Sequence, residues 1–176
     1  GAVAVVLGMA DSLAQCPDLA FLVHGRDSEI RPLLDKRPDL AARTTIVHAD
    51  EVVTMEDKPS HVLRHGQKTS MWSTIEAVRD GRAAAAVSCG NTGALMAVSM
   101  IRLRKLAGVN RPAIACLWPC RAAHGFAVML DVGADVKADP QDLLQYALMG
   151  TSYARNGLGL ARPRVGLLNV GTEDHK

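Results

Sequence analysis

Short apolar runs alternate with longer segments of helical period along this chain, and that alternation narrows its fold more than any other feature. LAFLVHG (19–25) reads as a buried strand ending in glycine, and TTIVHA (44–49) is rich in β-branched residues. RAAAAVS (82–88), RPAIACLWP (111–119), FAVMLDVG (126–133) and RVGLLNVG (164–171) extend the series of expected strands. Helices are predicted between them: residues 2–15, then DSEIRPLLDK with Pro32 in or near its first turn. TSMWSTIEAVRDG places Met71, Ile75 and Val78 on one face and stops at Gly81. A further helix is expected over 92–106. The clearest helix follows Asp139 as N-cap, has Pro140 in its first position and ends near Gly157. The stretch between residues 51 and 68 reads as a polar connection with at most one helical turn. Strands apolar throughout and separated by helices imply a mostly parallel sheet with helices on both faces, an α/β chain.

The bulk numbers exclude several functions. The 176 residues suffice for one sizeable core or for two small lobes, and at 48% apolar and 22% charged they are ordinary for a globular protein. Only 3% are aromatic, and the net charge of +2 is spread without a basic block, so nucleic acid is not an expected partner. No apolar run approaches the ~18 residues of a membrane span. Cys16, Cys89, Cys116 and Cys120 form no C-x-x-C pair, which points to a reducing, cytoplasmic setting.

Three expected strands finish alike, at Ser88-Cys89-Gly90, Asp131-Val132-Gly133 and Asn169-Val170-Gly171. Each offers a small hydrogen-bonding side chain, a spacer and a glycine. In an open parallel sheet ligands bind beyond the carboxyl ends of the strands, so Ser88, Asp131 and Asn169 would share one rim. Ordinary turn chemistry is the competing explanation. The loop SCGNTGALM (88–96) goes further. Gly90 and Gly93 remove Cβ atoms where a ligand's approach would need it, and the helix behind them presents unpaired N–H groups to an anion. Ser88, Asn91 and Thr92 add neutral donors. The loop matches neither a Walker A motif nor G-x-G-x-x-G, so a small phosphate fits it better than a nucleotide.

MEDKPSHVLR (55–64) could set Lys58, Arg64 and Lys68 facing that loop, or could be a solvated connection. His61 and His65 have the spacing of a helical metal pair but no third ligand nearby, so no metal is expected. Cys89 could be a nucleophile or a small packing residue. Met71, Met96, Met100 and Met149 sit at helical spacing as core residues.

DKPSHVLR, SCGNTGALMA, NRPAIACLWP, MLDVGAD, DLLQYALMG and RPRVGLLNVGTED follow one another in an order and at spacings that resemble the PlsX family, along nearly the whole chain. The S-x-G-N-T-G-A loop is the most specific of these. The resemblance implies a three-layer α/β/α sandwich similar to isocitrate and isopropylmalate dehydrogenases and to phosphotransacetylases, usually dimeric. It implies transfer of a fatty acyl group from acyl carrier protein to inorganic phosphate, yielding acyl phosphate for phospholipid synthesis without a cofactor. The family's glycine-rich DAMGGD start is absent, and its chains are about twice this long. Residues 1–176 are therefore expected to form a partial domain, lacking the later half and its membrane-touching helices. Asp135, Thr172, His24-Gly25 and the segment 120–125 also depart from the pattern.

By that resemblance, Ser88, Gly90, Asn91, Thr92 and Gly93 would hold the phosphate with Arg64 assisting. Lys58 would balance charge on phosphate or oxyanion, and Asn169 would donate to the carbonyl oxygen. Asp131 and Glu173 would orient donors or handle a proton. The protein would be cytoplasmic, with peripheral contact to the membrane or to a membrane acyltransferase in its full-length form. Two other readings stay open: a short-chain phosphate acetyl- or butyryltransferase acting on acyl-CoA, and a truncated, non-catalytic domain that only binds anions or a partner.

Overall fold

A computed structural model of the chain describes residues 1–133 and 138–168. The chain divides into two compact units, Gly1–Arg104 and Lys105–Lys176. The first contains helix α1 (Ala2–Gln15), strand β1 (Phe21–Gly25), helices α2 (Asp27–Leu34) and α3 (Pro38–Ala41), and strand β2 (Thr44–His48). Helices α4 (Pro59–His65), α5 (Ser70–Arg79) and α6 (Thr92–Arg102) follow, with a 3₁₀ turn at Gly66–Lys68 between the first two.

β1 and β2 pair in parallel, Phe21 opposite Thr44 through Gly25 opposite His48, and α2 and α3 make the crossover. Successive strand residues point to opposite faces, and this pair uses both. Val23 packs with Val6 and Met9 of α1, Ile30 and Leu34 of α2, and Leu40 of α3, which is wholly buried. The neighbouring His24 faces the other way, its Nδ1 2.8 Å from the Ser73 hydroxyl of α5. Helices thus cover the strand pair on both sides, a small version of the layered α/β/α arrangement.

A second core cluster joins three helices. Val62 of α4, Met71, Trp72 and Ile75 of α5, and Ala94 and Val98 of α6 pack together, with Ile75 four residues from Met71 and three from Trp72, and Val98 four from Ala94, the spacings of one helical face. Arg102 closes its far end: Nη2 donates to Glu76 Oε1 at 2.6 Å, and the guanidinium lies 5.5 Å from the Trp72 ring centroid.

The second unit pairs β3 (Ala115–Pro119) with β4 (Phe126–Leu130) in antiparallel fashion. The connection of residues 120–125 is too short for a parallel crossover and turns on Gly125, at φ 78°. Helix α7 (Pro140–Asn156) packs on β4. Its start is the expected one: Asp139 accepts from the Asp142 N–H, and Asp142 accepts in return from the Asp139 N–H, a capping box with Pro140 in the first position.

Several expectations need correction. Residues 59–65 form a true helix where a polar connection was expected, because Val62 and Leu63 supply an inward face that the polar composition hides. Residues 82–88 form no strand, and Val87 is 93% exposed. An alanine run has little β preference, and among the described residues no neighbouring strand pairs with it. Residues 164–168 are likewise exposed and unpaired, and 169–171 lie outside the described residues. Pro32 is the sixth residue of α2 rather than in its first turn, and α6 ends at Arg102.

Burial, and behind it the charge of Arg82, holds the His24 imidazole below its ordinary range. The unfolded chain therefore binds this proton more readily than the native one. The stability carried by neutral His24 is complete above the ordinary value of 6.5 and is lost as pH falls below it. Melting temperatures measured from pH 8 to 5 should fall less steeply in His24→Gln than in the wild type. Parallel curves would contradict this.

Candidate functional site

The polar loop before α6 is built from its own side chains. Ser88 Oγ accepts the Gly90 N–H at 3.2 Å and closes a tight turn. Asn91 then caps α6, its Oδ1 accepting the Ala94 N–H at 3.0 Å. Met71 Cε would meet a Cβ on Gly90 at 3.4 Å, so the second core cluster forms the floor of the loop.

Asn91 is only 8% exposed, and its amide does more than cap. Nδ2 donates toward the carbonyls of Thr54 (3.1 Å), Met55 (3.3 Å) and Asp57 (2.9 Å). Those residues form a knot of their own: Asp57 Oδ2 accepts from Thr54 N–H at 2.7 Å and Thr54 Oγ1 at 3.0 Å. The backbone N–H of Thr54, and then its hydroxyl, hold the Asp57 carboxyl below the usual carboxylate range. One side chain thereby ties residues 54–57 to the start of α6.

The next residue is Lys58, the extended N-cap of α4, followed by Pro59 in the first helical position. A Cβ on Gly93 would lie 3.2 Å from Pro59 Cγ, so the missing side chain lets the starts of α4 and α6 meet. Among the described residues no acceptor meets the N–H groups of Thr92 and Gly93, as is usual in a first helical turn. Lys58, Ser88 and Thr92 are all exposed. These neutral donors, a helix N-terminus and one ammonium make a niche able to take a small anion.

The expected site residues divide accordingly. Lys58, Ser88, Gly90, Asn91, Thr92 and Gly93 come together in the first unit. Asn91, however, gives its side chain to protein groups, and Gly93 accommodates Pro59. Arg64 lies in the last turn of α4, its backbone roughly 9 Å along the helix from Lys58 at 1.5 Å per residue. Asp131 belongs to the second unit, where its Oδ1 accepts the Ile114 N–H at 3.0 Å. Asn169 and Glu173 lie outside the described residues. Cys89 is a free, exposed thiol, and the His61 and His65 rings lie tilted at 45° with centroids 4.9 Å apart. Among the described residues no group of three or more His, Cys, Asp or Glu could hold a metal ion, and no helix is long and apolar enough to cross a membrane.

Thr54 and Asp57 are the contributors that sequence reasoning passed over, whereas the hold of Pro59 on the extended Lys58 backbone was legible. Thr54 and Asp57, three apart before a proline, carried a turn signal that could have identified the knot. A separate polar cleft of about 430 Å³ lies beyond the carboxyl ends of β1 and β2, lined by His48, Asp50, Glu51, Lys68, Ser73 and Glu76 among others.

The first unit is thus a layered α/β unit whose polar loop opens at a helix N-terminus, and the class it defines is an α/β protein. Residues 1–176 match, throughout, the model of the family described as fatty acid synthesis protein. The chain belongs to this family, that of the PlsX proteins. It is 68% identical over all of its 176 residues to the phosphate acyltransferases of Cereibacter sphaeroides and Paracoccus denitrificans, covering 48% of each. Over the same span it is 67% identical to the phosphate acyltransferase of a Jannaschia species, again 48% of that protein. The chain thus spans about half the length of the curated relatives it matches.

Asn91→Asp keeps the cap acceptor but removes both donors and sets a carboxylate against three carbonyls. It should cost about 1–3 kcal/mol in denaturant unfolding. Amide exchange should speed up at residues 54–58 while α7 is unchanged. Unchanged exchange in that loop would show that the tie is dispensable.

Proposed function

We propose that this chain carries the phosphate-binding part of an acyltransferase that moves a fatty acyl group from acyl carrier protein to inorganic phosphate. The observation behind this reading is the Asn91 tie, which fixes the backbone of Lys58 against the α6 N-terminus in a chain whose relatives are named phosphate acyltransferase. Phosphate would sit on the N–H groups of Thr92 and Gly93, with the hydroxyls of Ser88 and Thr92 donating to it and Lys58 balancing its charge.

A phosphate oxygen attacks the thioester carbonyl, the C–O bond forms, and the C–S bond breaks. The thiolate leaves and takes a proton from phosphate or solvent. A thiol of ordinary pKa, about 8.5, needs little acid assistance, so the protein's work is positioning and stabilising the developing oxyanion. Asn169 is the proposed donor to that oxyanion, with Asp131 and Glu173 orienting donors or carrying the proton. The chemistry calls for no cofactor. The same reading places the full-length protein in the cytoplasm as a homodimer, in peripheral contact with the membrane that receives its product.

The test is phosphate-dependent release of free thiol from palmitoyl-acyl carrier protein by the full-length protein. Lys58→Ala should lower the rate on the order of a hundredfold, as loss of a charge-stabilising donor does elsewhere. A wild-type protein that releases no thiol in response to phosphate would overturn the reading, and an undiminished Lys58→Ala rate would remove Lys58 from it.

A further inference from the structure

α4 and the turn after it form the one stretch of the first unit where cationic side chains line a helix face without carboxylates among them. Between Lys58 and Lys68 the sequence KPSHVLRHGQK contains no Asp or Glu. Lys58, His61, Arg64, His65 and Lys68 recur at intervals of three or four and are all exposed, while Val62 and Leu63 turn inward to the core. Among the described residues no carboxylate lies within ion-pair distance of Lys58, Arg64 or Lys68. The neighbouring helices differ: Arg31 of α2, Arg79 of α5 and Arg102 of α6 are each paired with an acid. Of the nearest acids, Asp57 is hydrogen-bonded to Thr54 while its carboxylate also feels the His61 imidazole, and Glu51 and Glu76 line the separate cleft that Lys68 borders.

We infer that this stripe is a docking surface for an acidic protein that carries the acyl group, an inference that rests on the acyl-transfer reading above. Three observations favour that partner. The stripe begins at Lys58, whose neighbour Pro59 meets Gly93, so a carrier docked along it lies next to the α6 N-terminus where phosphate is proposed to sit. From Lys58 to Lys68 it is roughly 15 Å long, the length of a short acidic helix. Its exposed face carries Ser60 and Gln67 between the cations and no large apolar side chain, whereas a helix that binds a lipid surface inserts an apolar face. Like-signed charges on such a face act chiefly on encounter and orientation, and salt weakens them.

The experiment compares two thioester donors in the full-length protein: palmitoyl-acyl carrier protein, and palmitoyl-pantetheine, which has the same bond without the protein. The variant is His65→Glu with Lys68→Glu, which leaves the niche untouched. Its KM for the carrier-borne donor should rise about tenfold, within the range attributed to electrostatic steering. Turnover of palmitoyl-pantetheine should stay unchanged. In the wild type the carrier KM should climb with added salt, and in the variant it should respond less. Binding of fluorescently labelled acyl carrier protein should weaken in parallel. An unchanged carrier KM, an equal loss with both donors, or a salt-insensitive wild type would each overturn the docking surface. So would stripe-dependent binding to phosphatidylglycerol vesicles with carrier binding intact. Failure of the wild type with both donors would sink the acyl-transfer reading, and labelled-carrier binding that the variant abolishes would even then uphold the docking surface.

Discussion

The carboxamide of Asn91 performs two tasks that no other common side chain combines. Its oxygen caps α6, and its nitrogen gathers the carbonyls of a loop more than thirty residues earlier in the chain. An aspartate could cap but not donate, and a serine lacks the second donor. Glutamine carries the same groups one methylene further from the backbone, out of register with the cap. In a buried setting each unmet carbonyl costs more than its hydrogen bond contributes, so the arrangement is specified chiefly by what its loss would leave unpaired.

Everything that defines the niche follows from that side chain and the core beneath it. Met71, Trp72 and Ile75 fix α5 under the loop, Ala94 and Val98 seat α6 on α5, and Val62 brings α4 alongside. Gly93 then allows Pro59 to close the remaining distance. Lys58 needs no tertiary contact of its own, because its backbone is held from both sides: by the Thr54–Asp57 knot before it and by the proline ring after it. The side chain stays exposed on a fixed tether.

What the sequence disclosed tracks how local each interaction is. The start of α7 was readable to the residue because Asp139, Pro140 and Asp142 act on each other within one turn. β1 and β2 were readable because short apolar or β-branched runs bounded by glycine or charge leave little else to form. The runs at 82–88 and 164–168 look equally apolar yet form no strand, since a strand exists only beside a partner and no local pattern supplies one. α4 was hidden by its composition, as two inward residues suffice to seat a seven-residue helix. The loop at 88–93 was recognised as polar and rich in hydrogen-bonding groups. Hydrogen-bonding capacity is visible in a sequence, whereas the partner it is spent on is not, and so Asn91 read as a ligand for phosphate rather than as the tie behind it.

The two tryptophans divide between the two units in a way that makes the molecule spectroscopically legible. Trp72 is 7% exposed, wedged in the helical core under a guanidinium, while Trp118 on β3 is 56% exposed. Their indoles therefore emit from opposite solvent environments, one shielded and blue-shifted, the other hydrated and open to collisional quenchers. Each unit carries its own intrinsic reporter, and the fluorescence of the unmodified chain separates into one signal from the floor of the niche and another from the β3–β4 pair.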